Sequence, residues 1–296
     1  MVGRNFIEHP AASDHIILAP GSNDLDLRDY QAVHKWIRSH CPDVIVHAAG
    51  KVGGIQANLR EPVEFLLDNL DMGRNLVMAA RNAGVSRLIN LGSSCMYPRD
   101  AANPLVENMV LKGELEPTNE GYALAKIAVT KLCEYISKET SEFQYKTLVP
   151  CNIYGRHDKF DPKHSHMVPA IIYKLHQAKL RGANVVDIWG DGLARREFMY
   201  AGDLADCIWR AIDQFESLPS LMNVGLGHDL AVNEYYAVAA DVVGYQGTFE
   251  HDLTKPVGMR QKLVSVERSA LWGWRAGTSL QEGLQQTYQF YLQEQH

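Results

Sequence analysis

Asp43-Val-Ile-Val-His-Ala-Ala49, Arg87-Leu-Ile-Asn-Leu-Gly-Ser93 and Tyr145-Lys-Thr-Leu-Val-Pro150 are the stretches that decide the fold. Each is a short run rich in Ile, Val and Leu, without the strict polar alternation of a sheet that faces water on one side. Such runs mark strands buried on both faces. His15-Ile-Ile-Leu18 reads as a further strand of the same kind. Between these runs, residues 29–40, 62–83 and 121–140 carry apolar side chains at helical spacing, with Pro42 and Gly84 as stop signals. Strand–helix alternation of this kind predicts an α/β fold with a doubly wound parallel sheet.

Beyond Pro150 the texture changes. Residues 151–166 form a polar stretch too long for a simple connector, and long loops beyond the carboxyl edge of a sheet usually carry function. Helices are then expected at 168–180 and 203–215, strands at 185–189 and 197–200, and an amphipathic segment at 233–243. A strand follows around 263–266, and a last helix starts at Leu280. No low-complexity linker or repeat separates modules. The expected division is a cofactor-type domain over residues 1–152 and a smaller α/β lobe over 153–296, with some segments returning to the first domain.

Composition narrows the function. The 296 residues are 46% hydrophobic and 22% charged, and 29 basic against 35 acidic residues give a net charge of −6. That balance lacks the basic footprint of a nucleic-acid binder. No apolar run reaches the roughly 18–20 residues needed to span a bilayer. The five cysteines are odd in number and show no metal-ligand spacing, and no signal-peptide pattern opens the chain. A cytoplasmic protein with reduced thiols and no metal is the expectation.

Chemistry concentrates at two places. Tyr122 and Lys126 lie four apart on an expected helix, hence on one face. Alone, the pair could be a surface tyrosine above a solvated lysine. The strand at 87–91, however, runs into Gly92-Ser-Ser-Cys95, which sets two hydroxyls and a thiol at the carboxyl edge of the sheet, where open α/β folds bind ligands. Cys95 alone could be a small buried hydrophobe, and His166 a structural loop residue.

Taken together, Gly92-Ser-Ser-Cys-Met-Tyr-Pro98, Leu115-Glu-Pro-Thr-Asn-Glu120 and Tyr122-Ala-Leu-Ala-Lys126 resemble the extended short-chain dehydrogenase/reductase superfamily. Within it they resemble the GDP-L-fucose synthase family. Ala49-Gly-Lys-Val-Gly-Gly54, Asn152-Ile-Tyr-Gly155, Ser165-His166, Trp189-Gly-Asp-Gly192 and Arg196-Glu-Phe198 follow in family order. The resemblance implies a Rossmann-type fold and C3/C5 epimerisation followed by NADPH-dependent C4 reduction of a GDP-4-keto-6-deoxy sugar. It implies Ser93, Tyr122 and Lys126 as the reductase set, with Tyr122 giving a proton to the C4 oxygen. A phenol with a pKa of about 10 needs tuning for this, which an ammonium at Lys126 could supply. Cys95 and His166 would be the acid and base of epimerisation, since a 4-keto group acidifies both neighbouring C–H bonds. Gly3, Ala49, Tyr122, Lys126 and His166 would line the NADP(H) site. Lys174, Trp189, Arg196 and Lys262 would hold the GDP-sugar, cations on pyrophosphate and the aromatic on ribose or guanine. The same resemblance implies a homodimer through the helices at 62–83 and 121–140.

The pattern breaks at one point. The family's glycine-rich turn, which lets pyrophosphate approach a helix N-terminus, is represented only by Gly3 in Met1-Val2-Gly3, and the first strand is absent. No arginine after residues 15–18 marks a 2′-phosphate, so NADP rests on the resemblance. Either the start has been assigned inside the motif or the chain is a shortened paralogue, cofactor-impaired and only binding nucleotide sugar. The further alternative is the same chemistry on another GDP-4-keto sugar, a heptose or colitose precursor.

Overall fold

A computed structural model describes residues 1–161, 165–255 and 259–294. Four parallel strands form its main sheet, in the spatial order Ile45–His47, Arg87–Leu91, Gln144–Pro150, Leu221–Val224. Register pairs Leu88 with Tyr145 and Leu91 with Leu148, so alternate residues of adjacent strands point to opposite faces. Leu88 and Tyr145 share a core with Val33, Val77, Val129 and Ile136 from the helices Tyr30–His40, Pro62–Asn82 and Glu120–Glu139. Ile89, Leu91 and Leu148 instead face Leu204, Cys207 and Ile208 of the helix Ala201–Asp213. Both faces are covered, as the unbroken apolar runs require.

Local chemistry sets the helix limits. Asp29 caps Tyr30–His40, its carboxylate accepting the amides of Gln31 and Ala32 at 2.9 and 3.1 Å. The two long helices approach closely at Gly73, where a Cβ would stand 2.4 Å from a Val129 methyl carbon. The expected helix at 203–215 starts two residues earlier and ends at Asp213, followed by a 3-10 turn Phe215–Ser217.

A second core gathers Tyr154, Ile172, Leu175, Ile188, Tyr236 and Tyr291. It joins the helices Met167–Arg181, Val232–Val243 and Leu280–Glu294 to the parallel pair Val185–Trp189 and Thr248–Asp252. Two further small ladders reach back to the first core. Asn152–Tyr154 pairs with Phe198–Tyr200, and Arg195–Arg196 lies between Gln261–Lys262 and Leu230–Ala231.

One expected strand does not form. Residues 15–18 form no strand, with Ile16 94% exposed. A strand needs a neighbour for its amides and carbonyls. Ile45–His47 is the edge of the sheet, and among the described residues no strand lies between it and residues 15–18. The expected strand at 263–266 is shorter and earlier, Gln261–Lys262, extended by a bridge between Leu105 and Val264. No helix among the described residues is long and apolar enough to cross a membrane.

Candidate active site

The site grows from the end of Arg87–Leu91. Gly92 follows because a Cβ there would meet Met96, Thr147 and Val149 carbons at 3.0–3.4 Å. The chain then turns into the 3-10 helix Ser94–Met96, capped by Ser93, whose hydroxyl accepts the Cys95 amide at 3.2 Å. This turn presents Ser93 and Cys95 at the carboxyl edge and buries Ser94. Ser93, the expected working hydroxyl, is half-buried, and Ser94, the expected packing one, is buried.

Glu120–Glu139 brings Tyr122 and Lys126 to the same edge. Ser93 influences the ionisation of both Tyr122 and Cys95, so the two constellations meet at its hydroxyl. Burial pushes the Tyr122 phenol well above its ordinary value, nearby Cys95 adds to the rise, and Ser93 opposes it. Lys126 is 7% exposed, and its ammonium donates to the Leu91 carbonyl at 2.9 Å. Burial pushes its pKa down to about 8. Its Nζ stands 5.8 Å from the Tyr122 ring centre. Burial and the neighbouring Cys95, rather than the Lys126 ammonium expected to lower it, are the main influences on the Tyr122 phenol. Burial dominates and keeps Tyr122 protonated, the form a proton donor needs.

Cys95 is more elaborately held than sequence suggested. Its sulfur accepts the Asn119 amide at 3.1 Å and the Lys262 ammonium at 3.3 Å. Burial is the largest influence and raises the thiol pKa, but Lys262, Ser93 and Asn119 together outweigh it and bring the pKa below the ordinary value. Asn119 lies in the quoted Pro-Thr-Asn-Glu motif, which was its only signal. Lys262, expected at the pyrophosphate, thus lies against the thiol.

His166 stands at the N-cap position of Met167–Arg181, without a side-chain cap bond, and lies near Asp158. The Asp158 carboxyl is pushed up by burial, with His166 the strongest of the influences opposing the rise. Asp158 was not singled out from sequence, because nothing in Arg156-His-Asp158 marks it as the histidine's neighbour. The preceding Ser165 carbonyl lies 3.4 Å from where a Gly54 Cβ would be, which brings the His166 segment against residues 50–54. His164, read as a plain loop residue, lies outside the described residues.

The remaining candidates are dispersed around this edge. Ala49 and Gly50 are exposed just beyond Ile45–His47, and Gly3 sits in the short helix Val2–Ile7 with open space where its Cβ would be. Trp189 ends its strand half-exposed, with the Lys255 ammonium 5.6 Å from its ring centre. Lys174 is engaged by Asp187, 2.8 Å from its carboxylate. Arg196 donates to the Arg195 carbonyl at 2.8 Å, and burial lowers its pKa against the pull of Asp229 and Glu116. Its neighbour Glu197 is 1% exposed and accepts the amides of Leu226, Gly227 and Val264 at 2.6, 2.9 and 2.9 Å.

Residues 1–225 match the NAD dependent epimerase/dehydratase family. The chain belongs to that family. A GDP-L-colitose synthase of Yersinia pseudotuberculosis is 51% identical over 296 residues, covering 100% of this chain and 96% of the relative. A GDP-L-fucose synthase of Azorhizobium caulinodans is 52% identical over 292 residues, covering 99% and 93%. Among solved structures, a GDP-mannoheptose C4 reductase from Campylobacter jejuni with NADP bound superposes with a TM-score of 0.88 at 27% identity, covering 98% of this chain and 95% of that one. The parallel sheet of this epimerase/dehydratase chain is accordingly of the Rossmann type expected from its strands.

The donor set fits the nicotinamide–ribose end of a dinucleotide. Lys126 spends one of its three protons on Leu91, leaving two for hydroxyl acceptors, and Ala49 and Gly50 leave open surface beside it.

Proposed function

We propose that this chain is an NADPH-dependent nucleotide-sugar epimerase–reductase that converts GDP-4-keto-6-deoxy-D-mannose to GDP-L-fucose. The observation that carries the reading is the convergence, at the carboxyl edge of a parallel sheet, of the Cys95 thiol held by Asn119 and Lys262 at 3.1 and 3.3 Å with the buried Tyr122 phenol beside Ser93. One substrate carbonyl placed there meets proton-transfer groups for its neighbouring carbons and a proton donor for its oxygen.

The residues divide the work as follows. Cys95 and His166 move protons at C3 and C5, one removing and the other returning a proton on the opposite face. Thiol and imidazole suit both directions near neutrality. Ser93 hydrogen-bonds the C4 oxygen, stabilising the enolate that each removal leaves. Bound NADPH supplies hydride to C4. Tyr122 then gives its proton to the C4 oxygen, and Lys126 holds the cofactor ribose. Gly3, Ala49 and His166 complete the cofactor's surroundings. Trp189 packs on the nucleoside, Arg196 and Lys174 face the phosphates, and Lys262 stands by the thiol.

A homodimer and a cytoplasmic location belong to the same reading. The dimer is supported by apolar side chains left exposed on the two long helices, Val63 and Leu67 on one and Leu124 and Tyr135 on the other. The division at residue 152 is supported by two separate buried clusters, one on the main sheet and one around Tyr154 and Tyr291.

A second reading keeps every residue role and changes the sugar, since the colitose synthase matches this chain along its whole length. Incubation with NADPH and GDP-4-keto-6-deoxymannose, with the product identified by mass and NMR, tests the first reading. GDP-L-fucose is expected. No turnover of that substrate, with turnover of a 3-deoxy or heptose analogue, would transfer the assignment.

A further inference from the structure

The sulfur of Cys95 receives two hydrogen-bond donors from distant parts of the chain. Asn119 comes from 24 residues away and Lys262 from 167. A neutral thiol is a weak acceptor, whereas a thiolate accepts strongly and attracts a cation. Among the described residues no carboxylate lies within ion-pair distance of Lys262, and the sulfur is its one hydrogen-bond partner. We propose that Lys262 is a positioning residue for epimerisation, its ammonium and the Asn119 amide together holding the Cys95 sulfur in its anionic form.

The backbone around Lys262 is built to keep the ammonium there. The Leu263 amide donates to the Asn103 side chain at 2.8 Å, and the Leu105 amide donates to the Leu263 carbonyl at 2.8 Å. The Val264 amide is taken by the buried Glu197 carboxylate at 2.9 Å. The strand Gln261–Lys262 is also paired with Arg195–Arg196. A lysine at a loop tip would have four soft carbon–carbon torsions and a moving base; here only the side chain remains free.

The titratable groups facing the sulfur are the Lys262 ammonium from the tail strand and the neutral Tyr122 phenol from the helix Glu120–Glu139. Asn119 is a neutral donor to the sulfur, and Ser93 is a neutral neighbour that accepts the Cys95 amide. Cys151 feels both Lys262 and Glu197, and burial holds it protonated. An anionic sulfur also disfavours ionisation of Tyr122. One cation thereby sets two protonation states, a base beside the ring carbons and a protonated donor at the C4 oxygen.

This inference rests on the epimerase reading, but its test needs neither substrate nor cofactor. Alkylation of the intact protein by iodoacetamide is followed against pH on the Cys95 peptide by mass spectrometry, with exposed Cys41 as internal reference. Lys262→Met is expected to raise the Cys95 midpoint by about one pH unit, slowing alkylation about tenfold at pH 7. Lys262→Arg should restore most of the rate. If Lys262→Met loses its native circular dichroism, Lys262→Gln takes its place with the same expected shift. An unchanged Cys95 midpoint in a folded variant overturns the proposal. Failure of the wild type to exchange substrate protons overturns the epimerase reading instead, and leaves the alkylation result standing.

Discussion

Lys126 is a buried cation that the fold keeps at a cost, and replacing it should stabilise the protein. Its ammonium is 7% exposed, has one hydrogen bond to the Leu91 carbonyl, and has its pKa lowered from 10.5 to about 8 by burial. A fall of that size corresponds to roughly 3 kcal/mol of stability lost while the group is charged in both folded and unfolded chains. Lys126→Met removes this cost but leaves the Leu91 carbonyl without its donor, which returns about 1 kcal/mol. The variant should therefore be more stable at pH 7 by about 2 kcal/mol, and inactive as a reductase. The sign has a pH signature. Below about pH 8 the wild type carries the full penalty. Between 8 and 10.5 the folded lysine loses its proton before the unfolded one, so wild-type stability rises relative to the variant. Urea unfolding of both proteins at pH 7 and pH 10 measures the difference, and groups common to both cancel. A difference that is flat across that range, or a variant less stable at pH 7, would refute the buried-charge argument.

Other consequences can be measured independently. Gly73→Ala places a methyl 2.4 Å from Val129 and should cost about 1–3 kcal/mol in urea unfolding by forcing the two long helices apart. An unchanged midpoint would mean that the helices have slack there. Glu197 has its pKa pushed up to about 7, chiefly by burial, so its folded form binds a proton more tightly than the unfolded chain. The penalty is full above pH 7 and fades as pH falls from 7 toward 4.5. The stability of Glu197→Gln relative to wild type should thus be higher at pH 8 than at pH 5, by at most roughly 3 kcal/mol. A difference independent of pH would contradict this. Trp189→Ala should raise KM for the GDP-sugar more than it lowers kcat, read from steady-state kinetics.

The sequence made the central sheet legible where strands were doubly buried. Residues 87–91 and 144–150 are apolar because both faces are covered, and they appear as strands within two residues of expectation. Residues 15–18 have the same composition but no partner, so strand propensity alone produced no strand. Leu221–Val224 was not anticipated because the run Leu221-Met-Asn-Val224 is short and holds an asparagine. In the fold that asparagine is satisfied by Tyr97 and the Leu105 carbonyl. Ser93, Cys95, Tyr122 and Lys126 were readable because their spacing along one strand end and one helix fixes their proximity. Lys262 was readable only as a cation, since its contact with Cys95 spans 167 residues and depends on the tail strand returning to the first core. Lys174 likewise could not be seen to meet Asp187.

Proton exchange and reduction are separable steps at this one site. Tyr122→Phe, incubated in deuterated buffer with GDP-4-keto-6-deoxymannose and NADPH, is the most direct measurement. Deuterium should enter C3 and C5 at near wild-type rates, followed by NMR, while NADPH oxidation falls by at least about 100-fold, as loss of a positioned proton donor implies. Undiminished NADPH oxidation, or loss of deuterium incorporation together with reduction in a folded variant, would contradict it.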